Sequence, residues 1–224
     1  MGKPIISQKR GKGSPTYRVP NSGKKYKPEY ARNNSGRVLD ILHDKGRNSP
    51  VAKIQYEDGI KYAIAPLGLR VGASSENIGI PISQVPESST VFAIETSPFS
   101  GPQLCMTPGA AAILVSKTEK TCVIKLPSKK QKALHPNCRV TIGLPAGEGR
   151  QEKPFTKAGD KYYLMKARGR LWPRSSAKAM NAVSHPFGSG YGGGVGRPKT
   201  TSRNAPPGAK VGSIASKRTG RKKF

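Results

Sequence analysis

Between Gly36 and Ala65 the apolar residues come in three short bursts, GRVLDILHD, VAKIQYE and IKYAIA, separated by KGRNSP and by Asp58-Gly59. Bursts of this length, rich in Val, Ile and Tyr and bounded by turn residues, predict β-strands, and Asp-Gly between two of them predicts a two-residue hairpin. Together they predict a three-strand meander. In the second burst Ala52, Ile54 and Tyr56 alternate with Val51, Lys53 and Gln55, the period-two pattern of a strand with one buried face. Four further bursts, at 91–95 (VFAIE), 112–116 (AILVS), 121–126 (TCVIKL) and 139–144 (RVTIGL), lie between Pro, Gly and Lys-rich turns and predict a second small barrel. The stretch from Gly68 to Pro86, with Gly72, Gly79 and Pro81, reads as the connection, which places the boundary near Glu87. The fold class expected is mainly β, two small barrels flanked by other material.

The flanks differ from the middle in charge. Acidic residues run from Glu29 to Asp160 and nowhere else, so residues 1–28 and 161–224 hold cations without a single Asp or Glu. The N-terminal stretch carries Lys3, Lys9, Arg10, Lys12, Arg18, Lys24, Lys25 and Lys27 among prolines and glycines, and reads as an extended basic arm. The C-terminal stretch carries Arg174, Lys178, Arg197, Lys199, Arg221 and other cations, too few apolar residues to offset its own ordering entropy, yet spaced anchors such as Tyr162, Trp172 and Phe187. That mixture predicts a segment that folds on a partner. The division expected is an arm at 1–30, barrels at 31–86 and 87–160, and a basic extension at 161–224.

Composition names the kind of partner. Of 224 residues, 40 are Lys or Arg against 12 Asp or Glu, for a net charge of +28. Such a surplus repels itself, whereas phosphates neutralise it and release condensed counterions, so the partner expected is nucleic acid. Each module spans only about sixty residues, a size of marginal stability, and docking on RNA supplies the remainder. With few aromatics and one Trp, recognition of folded RNA by backbone and shape fits better than a stacking platform. Cys105, Cys122 and Cys138 are odd in number and far apart, which argues against a secreted disulfide framework and for a reducing cytosol. No apolar run approaches the length needed to span a membrane.

Candidate chemistry is thin. Gly188-Ser189-Gly190-Tyr191-Gly192-Gly193 spells G-x-G-x-x-G, but His185-Pro186-Phe187 precedes it in place of a strand, so a flexible run approaching phosphates outranks a dinucleotide site. His135 and Cys138 have a chelating spacing that Cys105 and Cys122 can complete around zinc. Against this, Cys122 sits inside a strand pattern, where a thiol packs as a small hydrophobe, and no metal site or cofactor is assigned. The histidines His43, His135 and His185 sit in turns with no nucleophile motif, so the chain is expected not to be an enzyme.

The segments MGKPIISQKRGKGSPTYR, HDKGRNSPVAKIQYEDG, KPFTKAGDKYYLMKARGRLWP, AMNAVSHPFGSG and RPKTTSRNAPPGAKVGSIASKRTGR resemble the universal large-subunit ribosomal protein L-two family, over nearly the whole chain. The HPFG and SKRTGR forms resemble its archaeal and eukaryotic branch. The resemblance implies an OB-fold barrel, then an SH3-like barrel, and a C-terminal extension entering large-subunit rRNA near the peptidyl transferase region. It implies roles in subunit association, tRNA placement and that centre, with neighbouring ribosomal proteins, a bridge to the small subunit and RNA-associated Mg ions. By family position Arg150, Lys153, Lys157, Lys166, Arg168, Arg170, Trp172, Asn181, His185, Gly188, Arg203, Lys217 and Arg218 contact RNA or shape the contacting loop. Bacterial relatives carry a second histidine where this sequence has Phe187, so a role tied to that imidazole does not carry over. Pro145, Glu148 and Ser176-Ala177-Lys178 also depart from the family pattern. The alternative function is a free RNA chaperone or regulatory RNA binder, distinguished by whether the chain sediments with large subunits.

Overall fold

The structure is a computed structural model that describes residues 2–33, 35–190 and 200–217. The chain is mainly β with small sheets, and it divides into two compact units, Val19–Arg168 and the pair of segments Met1–Arg18 and Gly169–Phe224.

The first unit begins with the expected meander. Strands β1 (Arg37–Leu42), β2 (Val51–Tyr56) and β3 (Gly59–Ile64) form an antiparallel sheet in sequence order. Tyr56 pairs with Gly59, so Glu57 and Asp58 make the hairpin tip and Gly59, at φ +111°, opens the third strand. Glycine takes that backbone angle without a Cβ clash, which is why the Asp-Gly pair turns the chain one residue earlier than the dipeptide suggests. The expected alternation holds along β2: Ala52, Ile54 and Tyr56 are buried while Lys53 is half-buried and Gln55 exposed, and Val51, buried at the start of the strand, is the exception.

A second antiparallel sheet has the order β4-β9-β5-β6-β7-β8, with β4 (Ile78–Pro81), β5 (Thr90–Phe92), β6 (Ala112–Lys117), β7 (Cys122–Lys125), β8 (Gln131–Leu134) and β9 (Arg139–Ile142). Four of these are the bursts read from the sequence. The strand β4 lies in a stretch that reads as a connection, because Gly79 and Pro81 punctuate it. Gly79, at φ +81°, sits where the β4–β9 register shifts between Ile78 and Ile80, and Pro81 closes the strand. The strand β8 was hidden among lysines: it is the sheet's edge, only Leu134 is buried, and charged side chains guard the open backbone.

Two apolar cores result. One gathers Val38, Ile54, Ile64, Ile78 and Phe92, the other Ile82, Val91, Ile94, Leu114, Ile124 and Val140. Val91 and Phe92 point to opposite cores, as consecutive strand residues do, so β5 is a wall shared by both. Full burial of Phe92 stabilises by about 1.5–3 kcal/mol.

Helices are short. In the second unit α1 (Ile6–Gly11) interrupts the arm expected to be extended. Gln8 Oε1 accepts the Ile5 N–H at 2.8 Å, satisfying one orphan donor of the first turn, and Gly13 at φ +65° ends the run. In the first unit α2 (Ala158–Ala167) places Asp160 in its first turn and Lys166 in its last, the polarity the helix dipole favours. Near the C-terminus β10 (Thr200–Thr201) pairs in parallel with β11 (Ser213–Ile214).

Candidate nucleic-acid interface

In Met1–Arg18 with Gly169–Phe224, the cations among the described residues lie at the surface. Lys3, Lys9, Arg10, Lys12 and Arg18 are exposed, as are Arg170, Arg174, Lys178, Asn181, Arg203 and Lys217, while Trp172, His185 and Gly188 are half-buried. Neither segment contains an Asp or Glu. Arg197, Lys199, Arg218 and Arg221 lie outside the described residues, as does the second half of the G-x-G-x-x-G spelling.

The loop around His185 is built from backbone bonds. Ser184 N–H and His185 N–H donate to Asn181 O, Gly188 N–H donates to His185 O, and Ser189 N–H donates to Met180 O. His185 Nδ1 accepts the Phe187 N–H at 3.0 Å, and the two rings meet edge to face. A Cβ at Gly188 would collide with Met180 O and Asn181 O, so glycine is required by close backbone approach. The described part of the glycine run follows a turn, not a strand, and carries no nucleotide-binding turn of the βαβ kind.

In Val19–Arg168, Arg150, Lys153, Lys157 and Lys166 are exposed and Arg168 is half-buried. Arg168 Nη2 donates to Asn48 Oδ1, which tethers the end of α2 to the loop after β1. That loop is organised by Asp44, a buried carboxylate accepting from Lys25 N–H, Gly46 N–H and Arg47 Nε. Sequence reading missed Gln8, Asn48 and Asp44. Gln8 had a signal, its place as the third residue of α1, three after the cap Ile5, whereas Asn48 meets Arg168 and Asp44 meets Lys25, partners far along the chain.

The cysteines behave as core. Cys122 and Cys138 belong to the second apolar cluster, and burial pushes all three thiols up, favouring the neutral form over the thiolate a metal needs. Among the described residues no three His, Cys, Asp or Glu side chains gather as a metal site, and no helix is long and apolar enough to cross a membrane.

Two family models tile the chain: residues 4–75 match the RNA binding N-terminal domain of Ribosomal Proteins L2, and residues 77–211 match the C-terminal domain of the same family. The chain belongs to the ribosomal protein L2 family. Relatives named large ribosomal subunit protein uL2 are similar along their full length. The one from Archaeoglobus fulgidus is 46% identical, covering 98% of this chain and 99% of its own. That of Haloarcula marismortui is 45% identical over 99% and 98%, and that of Methanothermobacter thermautotrophicus 43% over all of both. Within the L2 family the mainly β architecture is an OB-fold followed by an SH3-like barrel. The L2 family is one of structural, RNA-binding ribosomal proteins.

Proposed function

We propose that this chain is a structural constituent of the large subunit of the cytoplasmic ribosome, gripping large-subunit rRNA with both acid-free ends. The observation that carries this reading is a surface of exposed cations on two segments that contain no Asp or Glu, with the loop around His185 held by its own backbone hydrogen bonds. Such loops bring charge to phosphates without the entropy cost of ordering long free tails.

In this reading residues 1–30 are the arm, 31–86 the OB-fold barrel, 87–160 the SH3-like barrel and 161–224 the extension. The RNA contacts are Lys3, Lys9, Arg10, Lys12, Arg18, Arg150, Lys153, Lys157, Lys166, Arg168 and Arg170. Further along the chain they are Trp172, Arg174, Lys178, Asn181, His185, Gly188, Arg197, Lys199, Arg203, Lys217, Arg218 and Arg221. Its place near the peptidyl transferase centre, support of tRNA placement and bridge to the small subunit are the finer parts of the proposal. Neighbouring large-subunit proteins are its other partners, and its role is structural, not enzymatic.

The test is equilibrium binding of the full chain to large-subunit and small-subunit rRNA across a salt series. The reading expects preference for the large-subunit RNA and a logarithmic slope of about 0.7–0.9 per phosphate neutralised. Equal affinity for both RNAs would favour the free chaperone reading.

A further inference from the structure

In the unit made of the chain's two ends, a cleft of about 430 Å³ opens beside the His185 loop. Lys3 N–H donates to Val183 O at 2.8 Å, which pins the first residues alongside that loop. Pro4, Ile5, Pro186 and Pro207 supply apolar walls, and Gly208, at φ +95°, turns the chain at its edge.

Besides Lys3, two polar side chains line the cleft, Gln8 and His185, and in each the acceptor atom is already engaged. Gln8 Oε1 takes the Ile5 N–H, and His185 Nδ1 takes the Phe187 N–H. With Nδ1 accepting, the ring proton lies on Nε2, so the side-chain groups left to bond a guest are the Gln8 amide NH₂ and the His185 Nε2–H, both donors. Lys3 adds a cation, and neither end of the chain contains an Asp or Glu to oppose an anion.

A guest matching these features has apolar faces for the proline and isoleucine walls, carries acceptors along one edge, and bears a negative charge nearby. An unpaired nucleotide has all three properties, and guanine presents O6 and N7 as two adjacent acceptors on one edge. We propose that this cleft receives a single unpaired guanosine of the large-subunit RNA, with its O6/N7 edge on Gln8 Nε2 and His185 Nε2 and its phosphate towards Lys3. The inference rests on the rRNA-binding reading and adds to it a site, a nucleotide and a recognition edge.

Methylation by dimethyl sulfate reads guanine N7 directly, so the experiment is N7 probing of large-subunit RNA bound by the full chain or by each of two variants. Gln8→Glu keeps the acceptor for Ile5 N–H while replacing the donor with a repelling oxygen. Ala209→Phe fills the cleft from an exposed position on its lining without touching either donor. The result expected is one unpaired guanine protected by the original chain and exposed by both variants, with N7 reactivity rising about tenfold, while the RNA stays bound. RNA bound by all three chains with the same N7 pattern overturns the cleft and leaves the rRNA reading standing. Failure of the original chain to bind the RNA overturns both, and a crosslink from the cleft to a neighbouring protein in place of RNA overturns the cleft alone.

Discussion

Arg139 and Glu95 form a buried ion pair between the two cores: Arg139 Nη2 donates to Glu95 Oε1 at 2.9 Å, and Arg139 N–H donates to Glu95 Oε2 at 2.9 Å. The carboxylate also accepts from Phe99 N–H and Gly101 N–H, and Arg139 Nη1 donates to Ala31 O at 2.8 Å. The guanidinium lies over the rings of Tyr30 and Phe99. Three stretches of the chain, 30–31, 95–101 and 139, meet on this pair.

Removing one partner leaves a buried charge without compensation. Glu95→Ala is expected to lower unfolding free energy by about 3–5 kcal/mol in urea titration, and replacing both Glu95 and Arg139 by Met to lower it by less. A single variant as stable as the original chain would show that the pair contributes nothing to holding the cores together.

Tyr30 predicts the alkaline limit of stability. Its hydroxyl donates to Ala93 O at 2.5 Å and meets Thr141 Oγ1 at 2.9 Å, and burial raises its pKa above the ordinary tyrosine value, as burial does for Tyr56. The unfolded chain therefore loses these protons first, so stability is full below about pH 10 and falls as pH rises beyond it. In Tyr30→Phe the alkaline fall should be shallower, and stability at neutral pH lower by about 1–3 kcal/mol through the orphaned acceptors. Identical pH profiles for the two chains would remove Tyr30 from this account.

Gly188 tests the His185 loop. With Met180 O and Asn181 O in the path of any Cβ, Gly188→Ala must open the loop. Affinity for large-subunit RNA is expected to fall about tenfold or more, the equivalent of one lost backbone hydrogen bond, while the melting of the β unit stays unchanged. Unaltered affinity would mean that the loop's shape is not read by RNA.

The arm can be tested through salt. Arg10 and Lys12 are exposed on and just after α1, and their combined replacement by Gln should lessen the logarithmic salt slope of RNA binding by roughly 1.4–1.8. A slope equal to that of the original chain would mean that neither residue meets a phosphate.

The strands were legible where apolar residues cluster between turn formers, as in β1 to β3, and illegible where the sheet itself tolerates exceptions. Gly79 marked a bulge instead of a break, and the lysines around β8 marked an edge. The candidate interface was legible as charge, because the absence of Asp and Glu at both ends is a property of the sequence alone. Its geometry was not: Asn181, His185 and Gly188 are close in sequence, but their bonds depend on backbone turns that no side-chain pattern specifies. The pairs Arg139–Glu95 and Arg168–Asn48 join positions far apart in the chain, and no local period reveals them.

The central claim is most directly tested by fractionating cells on sucrose gradients at moderate and high salt and detecting this chain in each fraction. The account predicts that it travels with the large subunit and leaves only under stringent salt. A chain found in the free pool at moderate salt would contradict it.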